Sequence, residues 1–140
     1  MTALALFPLG CGEHKGEERG APKQEVYTIG DITQTVTPPE DLCMPAYNIG
    51  KNGEETWLSR KQREASYLEF HRRAWCYTIE DLLASKTPGP YPLQGWPADT
   101  AANMAGVKLA MRQFEAARTK YGVTKARELA AKALKEMLGK

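Results

Sequence analysis

The sequence predicts a mainly α-helical chain, α+β at most. A long central helix and a C-terminal αα-hairpin follow an N-terminal arm and a short β-hairpin. Three observations carry this reading. Residues 59–85 contain no Pro or Gly and bring apolar side chains round at helical spacing. Residues 99–138 show the same periodicity twice, on either side of Gly122. Residues 25–37 are dense in β-branched and aromatic side chains, split by Gly30-Asp31. The two periods, 3.6 and 2, are the signals that separate helix from strand. A chain of 140 residues has the length of one domain and can bury a core without metal or disulfide staples. The expected division is an arm over 1–24 and a single compact domain over 25–140.

Residues 12–24 are rich in Gly, Glu and Lys and read as a flexible arm. Val26, Tyr27, Thr28 and Ile29 form the first strand run; Ile32, Thr33, Thr35, Val36 and Thr37 form the second, ended by Pro38-Pro39. A lone hairpin is marginal in water, so this one must lean on the helices. Residues 40–56 read as irregular, with Pro45, Gly50 and Asn52-Gly53 as turn signals.

Ser59 and Gln62 make a capping box for the helix that follows. Ala65, Leu68, Trp75, Ile79 and Leu82 lie along one stripe of it, and Tyr67, Phe70, Ala74 and Tyr77 extend the apolar surface round a second side. A surface helix needs one such face. This one is expected at the centre of the fold, or packed on another chain as well. Lys86 to Pro97 holds four prolines and two glycines, which end the helix and give a stiff connector, pinned by Tyr91, Leu93 and Trp96. Asp99 or Thr100 is the expected cap of the next helix, to about Lys120, with Met104, Val107, Met111 and Phe114 as its buried stripe. Gly122 is placed to end it in a left-handed conformation. Thr124 then caps a last helix to Leu138, whose stripe is Ala126, Leu129, Ala130, Ala133, Leu134 and Met137.

Charge is uneven along the chain. Residues 1–58 hold four Lys/Arg against nine Asp/Glu; residues 59–140 hold fifteen against eight. A basic rear half either meets the acidic front, faces a polyanion, or carries its cations as ordinary solvated helix faces. The candidate contact residues, for a protein partner or for nucleic acid, are Arg60, Lys61, Arg63, Arg72 and Arg73. Tyr67, Phe70, His71 and Trp75 are interleaved with them as rings that can stack on bases or fill the core.

Catalytic signatures are missing. The sequence has no phosphate-binding glycine loop, no Gly-x-Ser-x-Gly elbow and no His-Glu-x-x-His. Cys11, Cys43 and Cys76 are too few and too scattered for a disulfide framework and fit a reducing compartment. Cys11, His14 and Cys43 are the weak candidates for a metal. His71 and Cys76 sit about 140° apart round a helix, too far to share one ion. The expected place of Cys76 is the core, and that of His71 the surface or its boundary. No apolar run reaches the length of a membrane span. A cytoplasmic protein is the expectation; a lipoprotein through Cys11 is the alternative, against which stand the absence of Lys or Arg before Cys11 and the interruption by Pro8.

These readings converge on a non-catalytic protein–protein interaction protein, an adaptor, regulator or assembly subunit with a protein partner or a second copy of itself, and with no cofactor. The alternatives are a nucleic-acid binder using the basic helical half, and a small enzyme or zinc-supported module.

Overall fold

The strand-forming residues at 25–36 and the helix-forming residues beyond 59 sort in space as their periods require. A computed structural model describes residues 23–40, 47–49, 55–57, 59–89, 91 and 97–139. Along the chain come β1 (Glu25–Ile29), β2 (Ile32–Val36), β3 (Tyr47–Ile49), β4 (Glu55–Trp57), α1 (Arg60–Leu83), α2 (Pro97–Tyr121) and α3 (Val123–Leu138). The described part is mainly helical, with the predicted antiparallel hairpin in front.

β1 and β2 pair from Glu25↔Val36 to Ile29↔Ile32, so Gly30-Asp31 is a two-residue turn. Gly30 has φ +66°, which two-residue hairpins demand of their first central residue. A second constraint acts on it, because a Cβ there would stand 3.0 Å from Leu129 Cδ1 and 3.1 Å from the Tyr121 ring. The Asp31 carboxylate receives the Lys120 ammonium and the Tyr121 hydroxyl, which fastens the turn to the junction of α2 and α3. The region expected to be irregular, 40–56, contains structure: β3 and β4 pair antiparallel, Tyr47 opposite Trp57 and Ile49 opposite Glu55. Runs of three residues are too short for periodicity to reveal.

The capping box of α1 is present. Ser59 Oγ accepts from Gln62 N–H at 3.1 Å, and Ser59 N–H donates to Gln62 Oε1 at 2.7 Å. At the other end Lys86 N–H reaches back to Asp81 O at 2.8 Å and Ser85 N–H to Leu82 O at 3.1 Å. That is a Schellman pair, with Ser85 at φ +60° where glycine is usual. The Arg127 guanidinium, from α3, caps the carbonyls of Leu82 and Leu83.

Two helix starts differ from expectation. α2 begins at Pro97, not after Asp99 or Thr100; proline suits the first helical position, whose N–H has no partner in the helix. α3 begins at Val123 with Gly122, not Thr124, as its N-cap. Gly122 does have positive φ, but its ψ of 166° is extended rather than left-handed helical. Its N–H still bonds Arg118 O at 2.9 Å while its carbonyl accepts from Ala126 at 3.0 Å. One residue thus closes α2 and opens α3, leaving no room for a separate cap.

α1 is the central helix. Its Trp75, Cys76 and Ile79 meet Tyr27 and Ile29 of the hairpin, Leu109, Ala110, Phe114 and Ala117 of α2, and Ala126, Ala130, Ala133 and Met137 of α3. A smaller cluster joins Tyr67 and Leu68 to Ala102. Contacts between α1 and α2 advance in the same direction, Ala102 beside Tyr67 and Leu68, Gly106 beside His71 to Trp75. The two helices therefore run parallel. A parallel pair needs its connector to travel back over the length of α1, about 36 Å for 24 residues. Residues 84–96, at about 3.1 Å per residue when fully extended, are long enough in sequence to cover that distance.

The α1 stripe holds at Leu68, Trp75, Ile79 and Leu82 but not at its first residue, and the α2 stripe is rotated. Ala65 is exposed while its neighbours Arg63 and Glu64 are buried. On α2 the buried face is Ala102, Gly106, Leu109, Ala110, Gln113 and Ala117; Phe114 is buried, Val107 half-buried, and Met104 and Met111 are exposed. The seam selects small residues because the backbones come close. A Cβ on Gly106 would lie 2.4 Å from His71 O and 3.0 Å from Ala74 Cβ. In an ordinary helix Gly→Ala stabilises by about 1 kcal/mol. Here Gly106→Ala is expected to destabilise by about 1–3 kcal/mol, because α1 backbone must move. A lower urea midpoint at constant m shows it; a raised midpoint contradicts the seam.

Candidate functional site

The five basic residues of α1 do not form one exposed row. Arg60 and Arg63 are 4 % and 2 % exposed, so the expectation of surface contacts there is corrected. The Arg60 guanidinium lies 3.6 Å from the Glu64 carboxylate and donates to the Glu40 carbonyl. Arg72 is partly covered and holds Glu25 of β1. Arg73 pairs with Glu69 at 2.6 Å and lies over the Phe70 ring. Lys61 is exposed. The interleaved rings have gone inward: Trp75 and Tyr67 are buried and Phe70 is half-covered. His71, expected near the surface, is buried as well. A stacking platform for bases needs rings in the open, and this face of α1 offers none of these three buried ones.

Those inward groups build a polar chain. The Tyr27 hydroxyl lies 3.0 Å from Glu25 Oε1, its acceptor, and 3.0 Å from His71 Nδ1. Glu25 and Tyr27 share one face of β1 because they are two residues apart. Tyr27 has a single proton, given to Glu25, so His71 Nδ1 carries hydrogen and donates. Arg72 closes the chain on Glu25 Oε2. Next to it, the Trp75 indole N–H donates to Gln113 Oε1 at 2.8 Å, and Gln113 Nε2 donates to the carbonyls of Tyr27 at 2.8 Å and Ile32 at 3.3 Å. Sequence reasoning had no signal for this. A Tyr, a His and a Gln at positions 27, 71 and 113 are unconnected until the fold is known.

A Glu-Tyr-His chain has the parts of a proton relay, but burial closes it. Tyr27 is fully enclosed and burial, then Glu25, pushes its phenol well above the ordinary value. Burial pulls His71 down to about 4, which keeps the ring neutral. Cys76 beneath it is pushed up to about 11, by burial first and then by Glu80, which keeps the thiol protonated and unreactive. Tyr27, His71 and Cys76 are buried and hold the hairpin on α1 and α2, while the chain's Glu25 and Arg72 end is partly exposed.

The open feature lies on the opposite side of α2. A groove of about 380 Å³ runs between the connector residues Pro88, Gly89 and Tyr91 and the α2 residues Thr100, Asn103, Met104, Val107 and Lys108. The connector is fixed there by three contacts. Tyr91 donates its hydroxyl to Asp81 Oδ2 at 2.8 Å, Asn103 Nδ2 donates to Tyr91 O at 3.0 Å, and the Tyr91 ring packs on Tyr77 at 5.4 Å. Gly89, at φ +53°, lets the backbone pass against Val107; a Cβ there would already be in van der Waals contact, at 3.5 Å. Met104 and Met111 are 55 % and 45 % exposed. At 100° per residue they lie within about 20° of each other and about 180° from Gly106 and Gln113. α2 thus has a small-residue stripe inward and a methionine stripe outward. That contrast was in the sequence: alternate small and large apolar stripes on one helix mean a close seam on one side and something else on the other.

Among the described residues no group of three or more His, Cys, Asp or Glu is placed to hold a metal ion. Cys11, His14 and Cys43 lie outside the described residues, as do Leu93 and Trp96. No described helix is long and apolar enough to cross a membrane.

The depressed His71 sets a pH dependence. The folded ring binds a proton only near pH 4, the unfolded one near 6.5. Between these values the unfolded state holds more protons, so stability falls as pH falls and is fully present above about 6.5. The expected loss down to pH 4 is on the order of 3 kcal/mol. Urea unfolding across this window should show the slope, flattened in His71→Gln; an equal slope in that variant would contradict the assignment. Comparison with family models, curated proteins and solved structures finds no match for this chain.

Proposed function

We propose that this chain is a non-catalytic protein–protein interaction protein that presents the outer face of α2, with the groove beside it, to its partner. The observation that carries this is exposed Met104, which lines the groove with Val107 and Tyr91, together with exposed Met111 two turns further along the same face of α2. Exposed apolar surface is ordinary when scattered and informative when contiguous. Methionine is the side chain that binding surfaces use to adapt to a partner helix or loop, because it is unbranched and polarizable. The reading also draws on the polar interior. Among the described residues, His71, Tyr27 and Cys76 are groups with chemical potential, and each is buried with its reactive form suppressed. The breadth of the apolar surface of α1, which suggested a partner from the sequence, is accounted for within the chain by α2, α3 and the hairpin. The case for a partner rests on α2 instead.

A photo-cross-linking amino acid placed at Met111 in living cells tests this, with one at exposed Ala131 of α3 as control. The expected result is a discrete adduct from position 111, absent from 131 and lost on Met104→Asp. Met104 is exposed, so that change should alter stability by no more than about 0.5 kcal/mol. Equal, diffuse labelling from both positions would refute the reading.

A further inference from the structure

Deepening the interaction reading and resting on it, we infer that the occupant of the α2 groove is an acidic amphipathic helix. The two rims of the groove differ. Round α2 from Met104, Val107 and Asn103 turn by about 60° and 100° toward the connector, while Lys108 and Arg112 turn by about 40° and 80° the other way. One rim is therefore the apolar connector and the other is cationic. Lys108 and Arg112 are exposed and make no ion pair among the described residues. The nearby carboxylates are engaged elsewhere: Glu115 pairs with Arg118 at 3.0 Å, and Asp81 accepts the Tyr91 hydroxyl at the back of the wall.

The occupant must complement both rims. Apolar side chains fill the groove and cover Met104 and Met111, which are two turns, about 10 Å, apart. Carboxylates on its flank meet Lys108 and Arg112, one turn apart. Backbone chemistry chooses between helix and extended peptide. An added β-strand needs a row of main-chain partners, and the α2 wall of the groove is a helix whose own backbone groups are bonded internally. A helix bonds its own backbone and brings only side chains, anchored at i, i+3 or i+4, and i+7. Charge of the opposite sign adds steering and selects against basic partners.

Fluorescence anisotropy on the full chain tests this with a labelled synthetic helix, Leu along one face and Glu on its flanks, against the same peptide with Lys for Glu. The Glu peptide should bind roughly tenfold tighter. Lys108→Glu with Arg112→Glu should reverse the preference, while Lys132→Glu with Lys135→Glu on α3, an equal change of net charge at exposed sites, should leave it. Equal loss from both pairs makes the effect one of overall charge and overturns the inference. Equal binding of the two peptides, abolished by Met104→Asp, overturns the acidic partner and leaves the interaction reading intact. Binding of neither peptide overturns the inference. So does a dimer in light scattering that Met104→Asp dissolves, since the occupant is then a second copy; that result spares the interaction reading.

Discussion

One side-chain amide holds the described fold together. Gln113 sits in the middle of α2, is almost fully buried, and uses its oxygen for α1 and both hydrogens for the hairpin. Replacing water around two buried groups and one part-buried carbonyl with one rigid amide is favourable only if the bonds are made; a missing buried one leaves a desolvated group costing about 1–3 kcal/mol. This is why the hairpin, too small to be stable alone, has a fixed place. It also explains why the seam between α1 and α2 must be tight. Gly106, two turns before Gln113, brings the backbones together, and the amide then reaches the Trp75 indole without crossing a gap.

The same arrangement separates inside from outside. The Glu25-Tyr27-His71 chain, Arg72 and Cys76 are taken up by structure on the inner side of α2. The outer side, free of that duty, carries methionine and cations that have no ion-pair partner among the described residues. Because the connector must travel back along α1 to start a parallel helix, it passes beside α2 and supplies a wall that a tight turn could not. The groove is in this sense a consequence of topology: two parallel helices force a long crossover, and the crossover makes a concavity.

The helices were legible in the sequence because each is long enough for a 3.6-residue period to repeat and because Ser59, the proline-rich connector and Gly122 separate them. The hairpin was legible from its β-branched residues and Gly30-Asp31. β3 and β4 were not, being three residues each. Which face of α2 is buried was misread because Met104, Val107, Met111 and Phe114 satisfy the period as well as Ala102, Ala110 and Ala117 do. Hydrophobicity favoured the larger residues, whereas the backbone distance at Gly106 decides for the smaller. The cations of α1 were read as candidate contact residues, yet Arg60 and Arg63 are buried, and Arg60 and Arg72 have carboxylate or carbonyl partners within the fold. Pairings across 47 residues, as between Arg72 and Glu25, leave no local trace in a single sequence.

The most direct test of the central claim is amide hydrogen exchange in Gln113→Met, which keeps the volume and removes all three bonds. Residues 25–36 are expected to lose protection first, through opening of the hairpin from α1 and α2, while amides in the middle of α1 remain the slowest to exchange. Unchanged protection across the hairpin would contradict that claim.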